Sequence, residues 1–230
     1  MTQAIHVGLM VPVNNTTFER EALGWLAPGS KQTVFKIPRG KGLLTPETIA
    51  PYKQQALTLG AQFALTDVDV VAYGCTAAGF IDGPEGDAEL ALEMSRVSGK
   101  PVVTTAHSMV LTLQEAHVQR IGLITPYLEA VNQQLKAFLQ AGGIEVLSFD
   151  SFYTPDVDSL GRISAKEVYD LALKTMTQDC EAMFIACAQL PTHSILAQLR
   201  AVFGKPVFSS NASTIEQALK TFKALHTSRG

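Results

Sequence analysis

The chain has 230 residues, 47% of them apolar and 17% charged, with a formal net charge of -3. That balance supports a large buried core, as one domain or two small ones, and excludes a disordered chain. It offers no basic field for nucleic acid, and the apolar run in "MTQAIHVGLMVP" is too short for a signal peptide or a membrane span.

In chain order, the first strand is expected near 5–11 and closes on Pro12. The loop "VPVNNTTFERE" follows, where Thr16 and Glu19 have capping-box spacing and open a helix. "TVFKIP" (33–38) is a second strand candidate, and "PRGKG" after it is a turn whose Arg39 and Lys41 read as solvated loop charges. An amphipathic helix is expected over 45–65, a strand over 68–74, a helix from Ala88 to Ser98 and a strand over 101–105. Beyond these come strands near 120–125, 144–149, 182–186 and 206–209. Helices are expected near 127–141, 165–178, 192–203 and 213–225.

The order of these elements is a repeat. "HVGLMVPVNN" (6–15) is matched by "RIGLITPYLE" (120–129), and "DVDVVAYGC" (67–75) by "DCEAMFIAC" (179–187). "GKPVVTTAHS" (99–108) is matched by "GKPVFSSNAS" (204–213). Three matches in one order at nearly equal intervals indicate a duplicated half. Short apolar strands alternating with helices predict an α/β protein with parallel sheets covered on both faces. The expected lobes are 1–106 with 212–230, and 107–211, related by a pseudo-two-fold. In such sheets ligands bind beyond the carboxyl ends of the strands, and Cys75 and Cys187 both fall at that edge. One thiol would stand on either side of a cleft between the lobes.

The chemistry follows from that pair. Amides at a helix start can lower a thiol from its ordinary pKa of about 8.5 toward neutrality and also hold an anion. Thr76 and Ala77 follow Cys75, and Ala188 and Gln189 follow Cys187. Asn14, Asn15, Thr16 and Thr17 offer neutral donors able to hold a carboxylate without a buried cation, and Tyr127 sits at the equivalent place in the second half. Two opposed thiols permit racemisation, with one acting as base and the other as acid. They also permit addition of one thiolate to a double bond, rotation and elimination. Three cysteines without CxxC spacing and five histidines without HxH or HExxH spacing give neither a disulfide framework nor a metal site. A reducing cytoplasm is the expected home.

Together "VPVNNTTFE", "YGCTAAGF", "TPYLEAVN", "ACAQLPT" and "VFSSNAS" resemble the aspartate/glutamate racemase superfamily, in its maleate isomerase and arylmalonate decarboxylase branch. The resemblance implies two Rossmann-like lobes, an active site in the cleft between them, no metal or organic cofactor, and a homo-oligomer. It implies that Cys75 is the nucleophile and Cys187 its proton-handling partner. Asn15 and Tyr127 would grip substrate carboxylates, Thr76 and Ala188 would lend amides to the anion pocket, and Asn211 is a further substrate-binding candidate beside Asn14. The decarboxylases keep only the second cysteine, so the pair favours cis-trans isomerisation of a maleate-like acid over decarboxylation. A two-thiol racemase or epimerase is the alternative, and a ligand-binding protein without catalysis the non-enzymatic one. The loop 150–162 lacks the asparagine of the isomerases, and its Asp156 and Asp158 would repel a second carboxylate. Cys180, His107 and His193 read as structural, loop or capping residues.

Overall fold

Four runs of almost uninterrupted apolar residues become the four central strands. In the computed structural model, which describes residues 3–39, 44 and 46–227, these are β1 (His6–Pro12), β3 (Val70–Tyr73), β5 (Arg120–Thr125) and β7 (Ala182–Ile185). Their side chains are buried on both faces, as strands covered by helices on either side require. The flanking strands are less buried: β2 (Lys31–Ile37), β4 (Val102–Thr104), β6 (Glu145–Ser151) and β8 (Val207–Ser209).

The eight strands form two four-stranded parallel sheets, ordered β2-β1-β3-β4 and β6-β5-β7-β8. The register is set so that Pro12 pairs with Ile37, Met10 with Tyr73, and Ile124 with Ile185. The carboxyl ends of β1, β2 and β3 therefore lie side by side, and so do those of β5, β6 and β7. The duplicated sequence has produced a duplicated α/β lobe.

The helices are α1 (Thr17–Ala22), α2 (Pro46–Gly60), α3 (Thr76–Phe80), α4 (Gly83–Ser98) and α5 (Thr105–Glu115) in the first half. In the second half they are α6 (Glu129–Ala141), α7 (Val157–Gly161), α8 (Ala165–Thr175), α9 (Leu196–Phe203) and α10 (Ser210–Thr227). The repeated Gly-Lys-Pro has one physical cause: Gly99 and Gly204 end α4 and α9 in the left-handed conformation, with φ of 64° and 62°. Proline then starts the next strand.

Two details differ from the sequence reading. Thr16 makes no side-chain cap; the Asn15 Oδ1 accepts from the Phe18 amide at 3.1 Å instead, and Glu19 turns away to pair with Lys36. The helix α5 starts directly at the end of β4, so the expected lobe division between 106 and 107 falls inside it. This helix is part of a seam. Thr105 Oγ1 donates to the Tyr73 carbonyl (3.0 Å) in the first half, while Gln114 Nε2 donates to the Gly142 carbonyl (2.8 Å) in the second. In return α10, from the end of the chain, packs on β3 and β4, and Thr214 Oγ1 donates to Thr105 Oγ1 at 3.0 Å. One apolar core that includes α5 runs through both lobes, and α10 closes a second, smaller core on the other face of the first sheet. Among the described residues no helix is long and apolar enough to cross a membrane.

Candidate active site

Where the carboxyl ends of the two sheets meet, a cavity of about 60 Å³ opens between the lobes. That is room for a handful of non-hydrogen atoms, since one water needs roughly 10–15 Å³ by the same measure. The first lobe contributes Asn14, Asn15, Arg39 and the turn Gly74–Ala77; the second contributes Tyr127, Leu160 and Cys187–Gln189. Both Cys75 and Cys187 line this one cavity. Each is nearly buried, at 5% and 7% exposure, and the charge on one acts on the other.

The turn after β3 is held tightly. A Cβ on Gly74 would stand 2.7 Å from Phe18 Cδ1 and 2.8 Å from Val11 Cγ1, so only glycine lets the chain pass from Tyr73 to Cys75 here. Cys75 is the N-cap of α3. On the other side, the Cys187 amide donates to Ser210 Oγ (3.1 Å), and the Gln189 amide donates to the Cys187 sulfur (3.4 Å).

The two thiols differ in their electrostatics. Burial pushes Cys187 up to about 11; the Gln189 amide and the Tyr127 hydroxyl oppose this only in part, and a charge on Cys75 adds to it. Burial raises Cys75 as well, but the Arg39 guanidinium, the Tyr52 hydroxyl and the Ala78 amide all favour its thiolate. The amides after each cysteine thus act in the expected direction, yet desolvation outweighs them, and both thiols rest protonated at neutral pH. Cys75 has a cation beside it. Cys187 has a tyrosine.

Tyr127 follows Pro126 at the end of β5. Its carbonyl accepts from Asn132 Nδ2 (2.8 Å) and Ser151 Oγ (2.7 Å), and its ring meets Phe80 of the first lobe edge-on at 5.6 Å. Its buried hydroxyl lies beside Cys187 and Thr76 and completes no hydrogen bond, and the Tyr52 hydroxyl beside Cys75 is in the same state. Tyr127 lines the cavity, so its O–H can donate to a ligand there, whereas Tyr52 is not among the lining residues.

Other candidates fall less evenly. Asn15 is buried and pinned: Lys36 Nζ donates to its carbonyl at 2.7 Å, and Asn14 beside it is half-buried. Thr76 and Ala188 both reach the cavity, but the Ala188 amide donates to Thr76 Oγ1 at 3.1 Å, so these groups bind each other across the cleft. Asn211 does not line the cavity. It starts α10, and its Nδ2 donates to Glu21 Oε2 (3.1 Å) in a cross-lobe cluster with Thr192 and His193. Asp156 caps α7 by accepting from the Ser159 amide (2.7 Å), so the loop 150–162 presents Leu160 to the cavity and not its acids. Cys180 is buried elsewhere, against Ser148 and Thr177.

Two residues escaped the sequence reading. Arg39 is not a solvated loop charge; it is half-buried and lines the cavity, while Lys41 lies outside the described residues. The signal was its place, two residues beyond a strand at the ligand-binding edge of a parallel sheet. Tyr52 lies within α2, where no spacing marks it out.

Known proteins are similar to this chain in sequence and share its fold. A maleate isomerase of Geobacillus stearothermophilus is 25% identical over 233 residues, which covers 96% of this chain and 93% of that protein. An arylmalonate decarboxylase of Bordetella bronchiseptica is 24% identical over 79% of this chain and 76% of its own length. The crystal structure of the maleate isomerase Iso from Pseudomonas putida S16 superposes with a TM-score of 0.87 at 22% identity, covering 96% of this chain and 94% of that one. A Nocardia farcinica maleate cis-trans isomerase mutant, with a covalently bound succinylcysteine intermediate, matches equally well, with a TM-score of 0.87 at 22% identity and the same coverage. The family model described as arylmalonate decarboxylase matches residues 7–230, so the chain belongs to the arylmalonate decarboxylase family, in the branch that also holds the maleate isomerases.

Proposed function

We propose that the protein is a cofactor-independent cis-trans isomerase of a small, maleate-like unsaturated acid, working through a covalent adduct on Cys75. The observation that carries this is the unlike pair of thiols on one small cavity. A racemase needs two thiols that exchange the roles of acid and base. Here Cys75 has a guanidinium that favours its thiolate, whereas Cys187 has only neutral donors to set against its burial and keeps its proton. The Nocardia relative, trapped with its succinylcysteine, supports the same chemistry.

The reaction balances without an external reagent. Cys75, a neutral thiol at rest, first gives its proton to solvent water, and the thiolate then adds to one alkene carbon, forming a C–S bond as the π pair moves to the neighbouring carbon and into its carboxylate. Cys187 gives its proton to that neighbouring carbon. The former double bond is now single and rotates. Cys187 takes a proton back, the C–S bond breaks, and the trans acid leaves with both sulfurs restored. Charge developing on the carboxylate meets fixed donors, the Tyr127 hydroxyl and the Asn14–Asn15 turn. Asn15, Tyr127, Asn14 and the Thr76 and Ala188 segment bind substrate in this reading, whereas Asn211 serves the lobe interface. Two free thiols of this kind persist in a reducing compartment, and the cytoplasm is the setting that this reading favours.

Proton NMR with maleate tests the reaction. Wild type should produce fumarate, while Cys75→Ser and Cys187→Ser should each lose at least 1,000-fold in rate (~4 kcal/mol). Cys187→Ser should accumulate the adduct as a mass increase on the intact protein. A phenylmalonate control that released carbon dioxide, with maleate left unchanged, would replace this reading with a decarboxylase.

A further inference from the structure

The cavity has an uneven charge. Among the described residues lining it, Arg39 alone carries a formal charge; the remaining polar lining is neutral amide, hydroxyl and thiol. The position of Arg39 is fixed by neighbours. It follows Ile37, whose carbonyl accepts from the Val13 amide at 2.9 Å, so the end of β2 is tied to the loop that carries Asn14 and Asn15. Lys36 is already engaged with Glu19 and the Asn15 carbonyl. The guanidinium also lies close enough to act on Tyr52, Tyr73 and Cys75. The pseudo-two-fold offers a comparison within the molecule. The stretch after β6, with α7, is the counterpart of the stretch after β2; it gives the cavity only the apolar Leu160, where the first lobe gives an apolar Leu44 and, in addition, a cation.

We propose that Arg39 determines substrate specificity, taking the second carboxylate of a dicarboxylate whose first carboxylate lies on the neutral donors of Asn15 and Tyr127. This rests on the isomerase reading of the cavity. A dianion entering a small, largely dry space beside a thiolate brings three negative charges together, and neutral donors alone do not compensate them. One guanidinium does so in part, and its planar fork fits a carboxylate through two parallel hydrogen bonds. It also orients the acid, because the charged end must turn toward β2 and leave the other end for the Tyr127 side. A monocarboxylate has no second charge for the guanidinium to attract and should bind more weakly.

Binding of succinate, a saturated four-carbon diacid that cannot be attacked, is compared with binding of butyrate by calorimetry. Wild type should prefer succinate by about 30-fold, and Arg39→Gln should reduce that preference to a few-fold. Arg39→Lys, which keeps the charge and loses the fork, should fall between them. With maleate, Arg39→Gln should raise KM more than it lowers kcat. In the ligand-free protein, the same variant should shift the pH profile of Cys75 alkylation by iodoacetamide upward, a readout that needs no turnover. Circular dichroism and Tm of both variants separate loss of fold from loss of contact. Equal binding of the two acids by wild type, or an unchanged preference in a folded Arg39→Gln, would overturn the proposal. An Arg39-dependent preference without fumarate formation leaves this assignment standing and removes the isomerase reading. Fumarate formation with an unaltered KM in Arg39→Gln does the reverse.

Discussion

Glu21 ties the two lobes together through hydrogen bonds, and removing its carboxylate should loosen them measurably. Its Oε1 accepts from the amides of Thr192 (2.8 Å) and His193 (3.0 Å), and its Oε2 from Asn211 Nδ2 (3.1 Å) and Thr192 Oγ1 (3.3 Å). Glu21 belongs to α1 of the first lobe, whereas Thr192 and His193 belong to the loop that continues from Cys187. In Glu21→Ala the His193 amide is exposed and finds water. Thr192 and Asn211 are each only 1% exposed, and their N–H groups are left without an acceptor. Each such donor costs about 1–3 kcal/mol. Glu21 is itself half-buried, so some water enters, and the expected loss is about 2–4 kcal/mol. That is a large part of the 5–15 kcal/mol typical of a folded domain. Glu21→Gln keeps one oxygen for the two backbone amides and should lose only about 1–2 kcal/mol. Urea unfolding followed by circular dichroism gives the stability. Fluorescence reports the joint itself, because the single tryptophan, Trp25, meets the His193 ring at 4.9 Å across it. A Glu21→Ala midpoint within about 0.5 kcal/mol of wild type, or Gln as costly as Ala, would refute this reasoning.

Two further outcomes follow from the same geometry. Cys187 is pushed up to about 11 from an ordinary value of 9.0, so the folded protein holds this proton more tightly than the unfolded chain. Its contribution is complete below about pH 9 and is lost as pH rises toward 11, to a total on the order of 3 kcal/mol. The unfolding free energy of wild type in reductant should therefore fall more steeply between pH 9 and 10.5 than that of Cys187→Ala; parallel curves would show that the thiol is solvated. In Gly74→Ala the added methyl must displace Phe18 or Val11, which should cost about 1–3 kcal/mol and shift Cys75 enough to slow its alkylation. An unchanged Tm and alkylation rate would mean that the β3 turn has slack.

Much of the fold was legible because the chain states it twice. The Gly-Lys-Pro repeat marks a left-handed helix end and a strand start in each half, and the two Asp-to-Cys runs mark the central strands β3 and β7. The helix α5 was not legible, since no polar turn separates it from β4 and the β-branched pair Thr104–Thr105 straddles the junction. Its cap is nonetheless in the sequence: Thr104 Oγ1 accepts from the His107 amide at 3.1 Å. The repeat contained the same information, because α10 also begins directly after its strand, three residues before the expected start at 213. Cys75, Cys187, Asn15 and Tyr127 could be placed on one cavity from the sequence because strand ends are predictable. Arg39 was read as a solvated loop charge and Asn211 as a residue of the site, and Leu160 was not singled out, because their positions depend on how loops and the last helix fold back, which spacing does not encode. Asp156 is the clearest case. Read as a charge facing the substrate, it is a helix cap whose oxygen is already occupied.

The two lobes also show how one duplicated scaffold yields two unlike thiols. The strands that end at Cys75 and Cys187 are equivalent, and both sulfurs are buried to a similar degree. Desolvation therefore raises both, and the scaffold alone would give a symmetric pair suited to exchanging protons across a substrate. The asymmetry enters through the loops that follow β2 and β6. In the first lobe that loop brings Arg39, and α2 adds Tyr52, so the thiolate of Cys75 is the favoured anion. In the second lobe the stretch after β6 brings Leu160, and burial keeps the proton on Cys187 although the Gln189 amide and the Tyr127 hydroxyl favour its thiolate. Exchanging these two loop contributions, with Arg39→Leu and Leu160→Arg together, should raise the pH at which Cys75 is alkylated and lower it for Cys187. If the alkylation order of the two thiols stays the same in that folded double variant, the distinction between nucleophile and acid lies in the turns after β3 and β7 and not in the loops.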